Sequence, residues 1–254
     1  MKLRILGCGT SSGVPRIGND WGSCDPAEPR NRRSRASIVI ESPTTRLLVD
    51  TSPDMRQQLL AADLIHVDAI LWTHDHADHC HGIDDVRQLF HARGEPVPGF
   101  GYAETMKQLR ARFAYVFDGR DGYPPTVGGH DLQADMLFGD IRVRTVAQPH
   151  GSIYSAGFRF DRDGKSVGYS TDFHLVTDHM IELFSGVDIW VVDALRERPH
   201  PTHTHLSQTL EAVGRARPKR AILTHMDQSM DYRRLCQTLP EHVEPGFDGQ
   251  EIDL

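Results

Sequence analysis

Thr73-His74-Asp75-His76-Ala77-Asp78-His79 places three imidazoles and two carboxylates within seven consecutive residues. The apolar run Val67 to Thr73 that leads into it predicts a buried strand. Side chains two apart on an extended chain share a face, so His74 and His76 point the same way as that strand ends. Asp78 and His79 follow where the chain turns toward a helix expected near Gly82 to Ala92. Neutral imidazole and carboxylate together suit zinc, manganese or iron. Asp75, alternating with the histidines, is expected to orient the loop rather than to ligate. The bland alternative is a solvated turn. With 15 histidines in 254 residues, this spacing arises by chance at about one in 10⁴–10⁵ starting positions, so the metal reading is preferred.

Four donors cannot complete two metal shells, and further ligands are expected at the ends of other strands. His150 follows the predicted strand Ile141 to Val146, Asp172 follows Ser166 to Ser170, and His225 follows Arg220 to Thr224. Singly, each reads more readily as a cap or a solvated loop residue. Together they are the number and kind of donors that a two-metal site lacks.

The rest of the chain alternates strand-like with helix-like segments. Lys2 to Leu6, Ala36 to Glu41, Arg46 to Asp50, Tyr154 to Phe160 and Val187 to Val192 complete the expected strands. Helices are expected at Asp54 to Asp63, Ala103 to Ala114, Leu175 to Phe184, Leu206 to Arg215 and Tyr232 to Gln237. A Gly/Pro-rich stretch, Arg120 to His130, divides two halves of similar content. The pattern predicts an α/β protein, two sheets packed together with helices outside, as a single domain over residues 1–254.

Composition narrows the function classes. The net charge is −7, with 35 acidic against 28 basic residues, which disfavours a protein that sheathes a nucleic-acid polymer. A small anion is not excluded, because bound cations invert the local potential. No stretch approaches the eighteen or so apolar residues of a membrane span, and the N-terminus lacks the apolar core of a secretory signal. Cys8, Cys24, Cys80 and Cys236 show no pairing rhythm. No membrane partner and a cytoplasmic location are expected. Cys80 reads as a small buried residue. Arg30, Arg32, Arg33 and Arg35 read as solvated loop, or else as a patch that steers a phosphate-bearing substrate.

His-x-His-x-Asp-His followed by separate His, Asp and His positions resembles the metallo-β-lactamase superfamily over nearly the whole chain. That resemblance implies the αββα sandwich of two mixed sheets and two divalent metal ions per chain, zinc or manganese, with iron as a further option. It implies that His74, His76 and His150 hold one ion, that Asp78, His79 and His225 hold the other, and that Asp172 bridges them. Asp50, ending Leu47-Leu48-Val49-Asp50, matches an early aspartate that supports the site through hydrogen bonds. No cysteine lies close to Asp172, where many β-lactamases carry one, so β-lactamase activity is not expected.

Pro199-His200-Pro201-Thr202-His203-Thr204-His205-Leu206-Ser207 reads either as a solvated loop capping a helix or as a source of protons. It resembles the region that supplies the acid in the superfamily's phosphodiesterases. The resemblance makes His203 the donor to the leaving oxygen, with His205 the close alternative and His200 a weaker one. His203 and His205, with Asp78, are the candidate catalytic residues.

The opening loop, Gly7-Cys8-Gly9-Thr10-Ser11-Ser12-Gly13-Val14-Pro15, is neither a P-loop nor a dinucleotide fingerprint. It resembles the opening of a narrower group, the phosphoribosyl 1,2-cyclic phosphate phosphodiesterases of phosphonate breakdown, as does Gly246-Phe247-Asp248-Gly249-Gln250-Glu251-Ile252 near the end. Ser11 and Ser12 are its candidate substrate contacts. The group's cysteine-rich insert is reduced to Cys24, and Met226-Asp227-Gln228 lacks its further histidine, so no structural zinc is expected. The function implied is hydrolysis of a small, cyclic phosphodiester by metal-activated water, with a homodimer common in the group. The alternatives are a thioester or lactone hydrolase, a tRNA 3′-processing nuclease disfavoured by the acidic charge, and a metal-binding sensor without turnover.

Overall fold

Alternating aliphatic residues build two sheets that are covered on both faces, in a computed structural model that describes residues 1–254. In chain order the strands are β1 (Lys2–Gly7), β2 (Ser37–Glu41), β3 (Arg46–Val49), β4 (Ala69–Leu71), β5 (Val97–Gly101), β6 (Val127–Asp131) and β7 (Asp135–Phe138). They continue as β8 (Ile141–His150), β9 (Ile153–Arg162), β10 (Lys165–Ser170), β11 (Ile189–Asp193), β12 (Arg220–Thr224), β13 (Val243–Pro245) and β14 (Gln250–Asp253). The first sheet has the order β14-β1-β2-β3-β4-β5-β6 and the second β13-β12-β11-β10-β9-β8-β7. Each sheet is antiparallel at one side and parallel at the other.

The helices are α1 (Met55–Ala61), α2 (Ala77–Cys80), α3 (Val86–Arg93), α4 (Ala103–Arg112), α5 (Ala114–Asp118), α6 (Asp178–Phe184), α7 (Leu206–Ala216) and α8 (Tyr232–Thr238). The period-two rule sorts the core between them. Ile38, Ile40, Leu47, Val49 and Leu71 join the large cluster that includes Phe158, Phe160 and Val167 of the second sheet. Their neighbours Val39, Leu48, Ile70 and Trp72 face the other way, into a second cluster with Met55, Val86, Leu109 and Val116 of the flanking helices. This is the expected αββα sandwich. No helix is long and apolar enough to cross a membrane.

Five strands depart from the expectation. β5, β6, β7, β13 and β14 lie outside the expected strands, and β6 begins inside the Gly/Pro-rich stretch. Their sequences, such as Val97-Pro98-Gly99-Phe100-Gly101, lack the β-branched run that marks a strand. Gly99 is needed there because a Cβ on it would lie 2.5 Å from the Trp72 ring. β8 also runs four residues further than expected, so His150 is its last residue rather than a loop residue.

β3 and β4 of the first sheet point their carboxyl ends one way, as do β8, β10, β11 and β12 of the second. Every expected metal ligand lies at or just beyond one of these ends, the place where open α/β sheets bind ligands. Three of these exits turn sharply. Asp50, Asp172 and His225 have φ of 65°, 55° and 57°, in the left-handed region that few residues other than glycine adopt.

Candidate metal centre

After β4 the chain is pinned by Asp50. Its carboxylate accepts from the Thr73 N–H at 2.8 Å and from the Thr73 hydroxyl at 2.9 Å. The same carboxylate lies 2.7 Å from His79 Nδ1, which makes Nδ1 the donor to Asp50 and turns Nε2 inward. His74 is wholly buried, with Nδ1 2.9 Å from the Thr73 hydroxyl. The one-turn helix α2 then swings Asp78 and His79 to the same side as His74. Asp75 faces away and pairs with Arg112 of α4, the loop-orienting role expected of it.

The second sheet meets this loop with three separate donors. Asp172 divides its two oxygens between two groups. Oδ2 lies 3.6 Å from Nε2 of both His74 and His150, and Oδ1 lies 3.3 Å from Nε2 of both His79 and His225. His76 Nδ1 is 3.2 Å from His150 Nε2. Asp78 Oδ2 is 3.4 Å from Nε2 of His79 and His225. His74, His76, His150 and Asp172 thus form one grouping able to hold a cation, and Asp78, His79, His225 and Asp172 another.

Two observations test whether cations fit. The Nε2 atoms of His74 and His79 are buried with no hydrogen-bond partner, a costly arrangement unless something else accepts their lone pairs. At His79 burial is outweighed by the charges of Asp172, Asp78 and Asp50, which raise the imidazole well above its ordinary range, so a cation bound there would take the place of a proton. Burial, followed by the neighbouring imidazoles, holds His74 well below the ordinary histidine range, in the neutral form that ligates. Burial opposes ionisation of Asp172, but His225, His79 and His203 outweigh it and hold the carboxyl well below its usual range. Asp78 is held down likewise, by His79 and His225 against burial. The donors fit divalent cations, and Asp172 is common to both groupings.

A polar cleft of about 280 Å³ opens over these residues, rimmed by Ser11, Ser152, Thr202 and His203. His203 stacks on His225 at 4.8 Å between ring centroids. Its Nδ1 is 3.1 Å from Asp193 Oδ2 and its Nε2 is 3.9 Å from Asp172 Oδ2. Burial resists a charge on His203, but Asp172 and Asp193 prevail and push its pKa up to about 9.

The structure separates the other nominated residues. His205 stands at the N-terminus of α7 and lines no part of the cleft, because the chain commits to the helix there. Ser12 is exposed, with its hydroxyl on the Gly13 carbonyl, and lies away from Ser11's cleft. Asp193 went unnoticed in the sequence, although it ends an apolar strand just as Asp50 does. Its Oδ2 also accepts from the Asp172 N–H at 3.1 Å. The basic run is engaged locally: Arg30 stacks on Tyr232 and Phe247, Arg32 lies over Trp21, buried Arg33 donates to the Met230 carbonyl, and Arg35 pairs with Asp54.

Residues 45–226 match the beta-lactamase superfamily domain. Among solved structures, one described as a new diphosphatase from the PhnP family is 33% identical, with a TM-score of 0.90, over 99% of this chain and 96% of that one. Zinc-bound PqqB from Methylobacterium extorquens shares the fold, with a TM-score of 0.79 at 18% identity over the full length of both chains. An octanoyltransferase of Porphyromonas gingivalis is 31% identical over 99% of this chain but only 51% of its own length. An exodeoxyribonuclease, WalJ, of Streptococcus pneumoniae is 23% identical over 62% of this chain and 57% of its own. The chain therefore spans about half the length of the curated relatives it matches. The match across most of the chain, and the shared identity along nearly all of a PhnP-family structure, show that this chain belongs to the metallo-β-lactamase superfamily and, within it, to the PhnP group.

Proposed function

We propose that the protein hydrolyses a small phosphodiester, with water as the nucleophile and His203 as the acid that protonates the departing oxygen. The observation that carries this reading is the placement of His203, held by Asp193 behind it and facing the bridging Asp172 in front. A metal shell alone would serve many hydrolyses. A cationic imidazole at its edge serves those whose leaving group departs as a strong base.

Two divalent ions, when bound, supply Lewis acidity toward a phosphoryl oxygen and bring the pKa of water toward neutrality. The chain's own residues do the rest. Asp193 fixes the His203 ring through Nδ1 and leaves the Nε2 proton facing the cleft. Without bound cations, and against burial, Asp172 and Asp193 push the His203 pKa up to about 9, and Asp193 goes on favouring the protonated ring when cations share the charge of Asp172. Asp50 keeps His79 in one tautomer. The 280 Å³ cleft suits a small substrate better than a polymer. A cyclic phosphodiester such as phosphoribosyl 1,2-cyclic phosphate is the specific proposal, supported by the opening and closing segments that resemble that group.

A second reading, cleavage of a diphosphate bond, is favoured by the diphosphatase described for the similar PhnP-family structure. The two differ in their leaving groups. A phosphate leaves without protonation far more readily than an alkoxide does, so the diphosphate reaction leans less on His203. The test is turnover of phosphoribosyl 1,2-cyclic phosphate, a 2′,3′-cyclic nucleotide, bis-p-nitrophenyl phosphate and a diphosphate ester by metal-replete protein. Turnover of the diphosphate ester alone would sink the phosphodiester reading. Two bound metals with no phosphoester turnover would transfer the proposal to thioesters or lactones.

A further inference from the structure

Three of the four buried histidines of the centre have the ring nitrogen opposite the metal side fixed by a hydrogen-bond partner. His74 Nδ1 has the Thr73 hydroxyl, His79 Nδ1 has Asp50, and His150 Nδ1 has the Thr202 carbonyl at 2.8 Å. His225 is equally buried, yet its Nδ1 has no partner. Something other than a side-chain hydrogen bond aims its Nε2 at Asp172 and Asp78.

The backbone around it is gripped by the opening loop. The Met226 N–H donates to the Cys8 carbonyl at 3.0 Å, and the Thr10 N–H donates to the Met226 carbonyl at 3.2 Å. These two bonds clamp the residue next to His225 at the point where the chain leaves β12 with positive φ. The loop is in turn held by a half-buried carboxylate from the far end of the chain. Asp248 Oδ1 accepts from the Cys8 N–H at 3.1 Å, and Oδ2 accepts from both the N–H and the hydroxyl of Ser34 at 2.6 Å. The Ser34 carbonyl then accepts from the Gly9 N–H at 2.7 Å. Glycine is required at that contact, since a Cβ on Gly9 would lie 2.8 Å from the Ser34 carbonyl oxygen. Asp248 therefore fixes the loop on both sides of the carbonyl that holds Met226.

We propose that Asp248 is a positioning residue for the metal ligand His225, acting through the backbone of the opening loop in place of the hydrogen bond that the other buried histidines have. The inference rests on the dinuclear reading of the centre. It gives a purpose to the opening and closing segments, neither of which supplies a metal ligand. It also confines the effect to one of the two groupings, because His74, His76 and His150 make no contact with that loop's clamp.

The test is titration of metal-free, full-length protein with cobalt(II), followed by absorption and calorimetry without substrate. Wild type should take up two equivalents. Asp248→Asn preserves shape but sets an amide N–H₂ against donors. It should weaken by about 10–100-fold the same equivalent that His225→Ala removes, and leave the other within about twofold. Ser34→Ala deletes one of the bonds to Asp248 and serves if the first variant folds poorly. It should weaken the same equivalent by about three- to tenfold. Unchanged affinities, or equal losses at both equivalents, overturn the proposal. Fewer than two equivalents in wild type overturns the dinuclear reading itself.

Discussion

The two sheets equip the centre in opposite ways. The first delivers His74, His76, Asp78 and His79 from a single stretch and locks them with neighbours close in sequence and fold, Thr73 and Asp50. The second delivers His150, Asp172 and His225 one at a time, each from the exit of a different strand, and adds Asp193 and His203 behind them. Local chemistry holds the first contribution. Topology holds the second, since parallel pairing of β10, β11 and β12 is what brings residues 172, 193 and 225 to one edge. The difference teaches that a short motif furnishes donors by itself, while the dispersed half exists only once the strand order has assembled it.

The substitution that breaks the comparison outright is Asp172→Ala, because this residue alone serves both groupings. Metal content by elemental analysis should fall in both, and turnover should drop by about 10³-fold or more. Retention of two ions would show that the groupings are independent of their bridge. Next in size is His203→Gln, which removes the acid proposed for the dispersed half and leaves the ligands proposed above in place. It should lower kcat by about 10²–10³-fold on substrates with alkoxide leaving groups, far less on p-nitrophenyl esters, at unchanged metal content.

The pH profile sharpens the same point. The folded His203 pKa is raised to about 9, so its proton is present at neutral pH and is lost as pH rises through that value. Bound cations oppose the charge, so the alkaline limb of kcat should fall at or below pH 9. It should vanish in His203→Gln. A smaller effect is expected for Asp50→Asn in the first sheet, where His79 loses its tautomer lock. Affinity for the ion held by Asp78, His79 and His225 should fall by about 10–100-fold, read by chelator competition. Smallest are His205→Gln and Ser12→Ala, residues that the sequence nominated and the fold placed outside the cleft. Each should change kcat/KM by no more than about twofold, as surface changes remote from a site do.

The same division explains what was legible in the sequence. The seven-residue motif is improbable enough to be read alone. His150, Asp172 and His225 were legible as polar residues at the ends of apolar runs, and Asp50 through the resemblance to the superfamily. Asp193 ends Ile189-Trp190-Val191-Val192 in the same manner. It was passed over because nothing local says that His203, ten residues on, folds back against it. Nor does Thr202-His203-Thr204-His205 say which imidazole faces inward, since residues two apart share a face only until the chain turns. Helix α7 begins at Leu206, and that start leaves His205 outside. β5 and β6 were hidden because their glycines serve neighbouring side chains, the Trp72 ring in the case of Gly99.

The left-handed turns at Asp50, Asp172 and His225 have a consequence for how this protein drifts under selection. A side chain held at positive φ costs about 1 kcal/mol or more that glycine would not. Asp172→Gly or His225→Gly should therefore relieve the backbone at these exits, but only by giving up the buried carboxylate–imidazole contacts that Asp172 makes with His79 and His225. Backbone relief and side-chain contacts pull against each other at these positions. Glycine at residues 172 and 225 would be the mark of a relative that keeps the sandwich and has abandoned the reaction.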